Sequence, residues 1–165
     1  MRSSQFLVIC SIYFLALLPA KAQQELVPLD SVIRVWKTDG DINRLTYVFV
    51  RCSSLNTVAS ALLMQNHQKN TSDQFLQIAS HYFDLALATS KTVDETRSER
   101  AAERKSDNQL IKELRVSLKL VYEMYESRMK KNYAASGNYF LSDEFLKREI
   151  ELCKDPIKMV TILGF

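Results

Sequence analysis

Glycine and proline are scarce: three of each in 165 residues. That excludes collagen-like, linker-like and low-complexity chains. It also argues against a sandwich or barrel, which needs turn residues about every 8–12 positions. With glycine confined to positions 40, 137 and 164, the chain lacks a phosphate-cradling loop and a Gly-x-Ser-x-Gly nucleophile turn. Histidine is limited to His67 and His81, fourteen positions apart. Neither a His-x-x-x-His nor a Cys-x-x-Cys pair occurs, and Ile78 stands where a Glu-x-x-His motif ending at His81 needs its acid. Zinc, thioredoxin-type, c-type haem and di-iron sites therefore lose their usual signals. An excess of one charge is missing too, since the net charge is +3. The hydrophobic fraction of 47% is too high for intrinsic disorder.

What is present begins with an address. Met1-Arg2-Ser3-Ser4-Gln5 precedes an apolar run from Phe6 to Leu18, and Ala20 and Ala22 sit at the −3 and −1 positions of a cleavage site. This is the pattern of a secretory signal peptide over residues 1–22, cut between Ala22 and Gln23. A membrane anchor is the competing reading, but a run this short rises only about 20 Å as a helix, less than a ~30 Å hydrocarbon core. No later stretch reads as a membrane span. The leader holds Arg2 and Lys21 and no acid, so the remaining 143 residues carry 20 basic against 19 acidic side chains, net +1. Such a balance lacks the electrostatic footprint of a nucleic-acid binder. Cys10 leaves with the leader, and Cys52 and Cys153 remain in a compartment that permits disulfides. The pair reads as a disulfide; the alternative is two buried thiols packing as small hydrophobes.

Residues 23–165 read as one all-α domain, a small antiparallel bundle of three to four helices. The segment from Gln23 to Lys37, with Pro28 and a β-branched cluster, reads as an extended lead-in, with room for a short helical turn, whose apolar residues dock on the bundle. Helices are expected near 41–66, 72–90, 106–132 and 142–153. The first carries a stripe from Leu45 through Cys52 to Leu63 at three- and four-residue steps. Thr71 with Gln74, and Ser106 with Gln109, have capping-box spacing. Ser90 to Asn108 is polar and reads as either a solvated helical extension or a frayed connection. Asp155-Pro156 ends the last helix, and the apolar tail beyond it needs cover.

No constellation in this chain points to catalysis or a cofactor. Acid pairs are everywhere, but none is expected on an apolar face that would raise its pKa. The reading is a non-enzymatic periplasmic or secreted domain that acts through contacts with an envelope or extracellular protein. The aromatics Tyr122, Tyr125, Phe140 and Phe145 mark a candidate ligand or partner surface. They support an alternative in which a cavity between the third and fourth helices carries a small apolar ligand.

Overall fold

The computed structural model describes residues 26–98, 103–140 and 142–164. The leader, Cys10 and the Ala22–Gln23 bond lie outside them. Six helices and no strand occupy the described residues: α1 Leu29–Asp39, α2 Ile42–Gln65, α3 Lys69–Arg97, α4 Asp107–Ser136, α5 Glu144–Cys153 and α6 Pro156–Leu163.

The expected extended lead-in is instead α1. Pro28 stands immediately before it, where its missing N–H goes unused. Leu29 and Ile33, one turn apart, are buried, so packing overrides the weak helix preference of the valines and isoleucine. Gly40 closes α1 in the left-handed conformation at φ 66°. Asp41 then opens α2 by accepting from the Asn43 N–H at 3.0 Å.

A reversal at His67, itself left-handed at φ 60°, leads into α3. The predicted box at Thr71 is unused. Ser72, between its two partners, turns inward to donate to the Ser60 carbonyl at 2.9 Å, and the helix already begins at Lys69. Three hydroxyl contacts mark an antiparallel α2–α3 seam: Thr46–Thr89 at 2.9 Å, Ser53 to the Ala79 carbonyl at 2.9 Å, and Ser60–Ser72 at 2.9 Å. Small side chains let the two backbones approach there. The polar stretch after Ser90 stays helical to Arg97. Lys91 pairs with Asp107 at 2.8 Å, and Asp94 accepts from the Lys105 N–H at 2.8 Å, joining the end of α3 to the start of α4.

The Ser106–Gln109 capping box forms as its spacing predicts. Asp143 caps α5, accepting from the Phe145 and Leu146 N–H groups. Asp155 caps α6 in the same way, with Pro156 in its first turn. The residues that stop α5 thus start another helix, and the apolar tail is covered in part, with Met159 and Leu163 buried in the core and Ile157 exposed.

Every residue from Val48 to Asn56 is buried. By length and composition α2 is apolar enough to cross a membrane, contrary to the sequence expectation, yet 72% of its most apolar window is buried inside the fold. It is the core helix, covered by α3, α4 and the short helices α1 and α5.

Candidate functional site

Two charges lie within this apolar interior. Arg51 on α2 is three residues after Val48 and four before Leu55; Glu149 on α5 is three after Leu146 and four before Cys153. Helical periodicity places both among core positions, and both are almost wholly excluded from solvent. Arg51 Nη2 donates to Glu149 Oε2 at 2.5 Å. Its Nε donates to the Tyr125 hydroxyl at 3.0 Å, and Nη1 donates to the Val27 carbonyl. The Tyr125 hydroxyl donates to Glu149 Oε2 at 2.5 Å, and the Leu29 N–H donates to Oε1 at 2.7 Å. The rings of Tyr125, Tyr47 and Phe145 stand 5.6, 5.8 and 5.9 Å from the guanidinium carbon.

Burial pushes the Glu149 carboxyl above its ordinary value; the Arg51 charge, the Tyr125 hydroxyl and the Leu29 N–H pull it down without offsetting that. An acid on an apolar face with a raised pKa therefore does exist, which corrects the expectation from sequence. Burial, and then the neighbouring carboxylate, hold the Tyr125 phenol well above 10, so it stays a hydrogen-bond donor. The cluster fastens α1, α2, α4 and α5 at one point.

The covalent tie is next to it. Cys52 and Cys153 form a disulfide with Cα atoms 5.1 Å apart. Asn56 reaches both of their carbonyls, at 2.8 and 3.1 Å. A third tie joins α4 to α5. Arg128 grips both Asp143 oxygens at 2.6 and 3.0 Å, and its guanidinium lies 4.2 Å from the Phe145 ring centre. Burial works against the Asp143 charge, but the Arg128 bonds and the helix-capping N–H groups outweigh it and lower the carboxyl's pKa.

Of the four aromatics singled out by sequence, Tyr125 and Phe145 share the Arg51 guanidinium. Tyr125 is fully buried in the polar cluster. Phe145 is half-buried between Arg51 and Arg128. Phe140 lies against Tyr139 with ring centres 6.1 Å apart. Tyr122 borders a surface depression with Ser54, Thr57, Arg115, Leu118 and Lys119. Arg51 and Glu149, not singled out from the sequence, organise this region instead.

Outward, two apolar areas face solvent. On α4, Val116 and Leu120 are each 59% exposed, one turn apart. Between α3 and α6, Leu85, Pro156, Ile157 and Val160 line a shallow groove together with His81 and Asp84. His67 and His81 are both exposed. Among the described residues no group of three or more His, Cys, Asp or Glu side chains is arranged to hold a metal ion. Compared with protein-family models, with curated proteins and with solved structures, the chain gives no match in any of the three.

Proposed function

We propose that this chain is an exported, non-enzymatic helical domain that works through contact with an envelope or extracellular protein. The observation that carries the reading is the outer face of α4, where Val116 and Leu120 project into solvent from a rigid helix. Anchors of this kind, presented on a preformed element, suit protein association because little ordering entropy opposes it. The inner polar groups support the same reading. Arg51, Tyr125 and Glu149 direct their hydrogen bonds at one another and at the backbone of residues 27 and 29, which favours a structural lock over a reacting centre. The Cys52–Cys153 disulfide suits an oxidising compartment, in keeping with the leader in the sequence.

The test is site-specific photo-crosslinking in the cells that make the protein, with a photoreactive amino acid at Val116 or at Gln77, an exposed residue of α3. A discrete protein adduct from position 116 and none from position 77 is expected. Absence of any adduct from 116 counts against a contact role for this face.

A further inference from the structure

The charges around the α4 face identify a partner chemistry. An open strip of the α4 surface carries Asn108, Ile111, Lys112, Arg115, Val116 and Lys119, all on that helix. An adjoining depression of about 310 Å³ shares Arg115 and Lys119 and reaches Ser54 and Thr57 on α2. Neither lining contains an acid. Several surface lysines are matched elsewhere: Lys69 with Asp73, Lys91 with Asp107, Lys105 with Glu113, Lys147 with Glu144. Lys112 and Arg115 take no ion pair among the described residues. The nearest acids on α4 lie off the strip's lining: Glu113 binds Lys105 at 2.7 Å, and Glu123 sits 3.9 Å from Lys119. The result is a strip with no acid in its lining and three cations, of which Lys119 is paired at its edge with Glu123, and with the apolar side chains of Ile111 and Val116 set among them.

We propose that this strip docks an acidic amphipathic helix of a partner protein. Lys112, Arg115 and Lys119 receive its carboxylates, and Ile111 and Val116 receive its apolar side chains. The strip from Asn108 to Tyr122 follows the α4 axis for about 21 Å, the length of roughly four turns of a second helix. That matches helix-in-groove recognition, where apolar anchors give affinity and flanking charges give orientation and on-rate. The inference rests on the contact reading above and adds the partner's chemistry.

The experiment uses the full oxidised protein without its leader. The probe is a labelled synthetic peptide of about five helical turns, with leucines on one face and glutamates flanking them. A peptide of identical composition in permuted order and phosphatidylglycerol vesicles form the other arms. Anisotropy should show the patterned peptide binding about tenfold tighter than the permuted one, and more weakly as ionic strength rises from ~0.05 to ~0.5 M. Lys112→Glu with Arg115→Glu should weaken binding at least about tenfold, while Lys154→Glu, outside the lining, should not. Both reversed side chains are exposed, and Val116→Ser supplies an uncharged second variant that should also weaken binding. Equal binding of the two peptides, or indifference to the reversal, overturns the proposal. So does reversal-sensitive binding to vesicles alone, which assigns the strip to an anionic membrane. If the peptide fails while position 116 crosslinks a protein lacking an acidic helix, the partner chemistry is wrong and the contact role stands. If both fail, both readings fall.

Discussion

Replacing Glu149 by leucine removes the acceptor for three donors at once: Arg51 Nη2, the Tyr125 hydroxyl and the Leu29 N–H. Arg51 is fully buried and cannot lose its proton, so its charge remains in the core without a counter-ion. Breaking a buried pair in this way costs about 3–5 kcal/mol. Arg51→Met leaves Glu149 with only the tyrosine and one N–H, and is expected to cost a similar amount. The double variant behaves differently. Two apolar side chains of fitting volume replace the pair, and what remains is chiefly the stranded Tyr125 hydroxyl and Leu29 N–H, at about 1–3 kcal/mol each. The double variant should therefore cost less than the sum of the singles, with a coupling on the order of 3 kcal/mol. Urea unfolding of all four proteins, oxidised and followed by circular dichroism, measures the cycle. A coupling below about 0.5 kcal/mol, or a Glu149→Leu cost under about 1 kcal/mol, would refute the claim that this cluster locks the fold.

Three further outcomes follow from the same interior. The disulfide closes a separation of 101 residues, so Cys153→Ser should lower stability by roughly 4–5 kcal/mol on the chain-entropy account. A cross-linked peptide pair in non-reduced mass spectra checks the bond itself, and two free thiols would contradict it. Tyr82 is fully buried, and its hydroxyl meets no protein partner among the described residues, so Tyr82→Phe should be neutral or stabilise by about 1 kcal/mol; thermal unfolding showing a clear loss would mean the hydroxyl is satisfied. Burial holds the folded-state pKa of Glu149 above its ordinary value of 4.5, so the folded state binds that proton more tightly. The resulting contribution is complete below about pH 4.5 and is lost as pH rises through the raised value. The stability of the wild type relative to Glu149→Gln should therefore fall from pH 4.5 upward, and a relative stability that rises over that window contradicts the assignment.

The contact reading and the lock reading concern different side chains of α2 and α4: exposed Lys112, Arg115, Val116 and Lys119 in one, buried Arg51 and Tyr125 in the other. The buried ties hold α5 to α1, α2 and α4, while the proposed strip lies toward the start of α4 and against Ser54 and Thr57 of α2. Variants in the strip should therefore leave unfolding transitions unchanged. Variants in the lock should affect binding only by depleting folded protein.

Periodicity and end signals located α2 and α4 closely, while α3 runs from Lys69 to Arg97, past both ends of the 72–90 expected for it. Leu45 to Leu63 at helical spacing, the Ser106–Gln109 box and the Asp155-Pro156 stop are local features, and local geometry alone satisfies them. The Cys52–Cys153 pairing followed from counting cysteines once Cys10 was assigned to the proposed leader. Helix α1 and the folded-back α6 were not legible, because their stability comes from Leu29, Ile33, Met159 and Leu163 burying against other elements, a tertiary term that short β-branched or apolar stretches do not reveal. The same holds for the unused box at Thr71, displaced when Ser72 found Ser60. Arg51 and Glu149 are the instructive case. Each stands at core spacing on its own helix, so the sequence did place a charge on each apolar stripe. What it withheld was how the two helices orient about the Cys52–Cys153 pair. The disulfide brings residues 52 and 153 together, and one helical turn from Cys153 is enough to set Glu149 against Arg51. Opposite charges at core positions stay buried only when they face each other, and only the packing of α5 on α2 decides that they do.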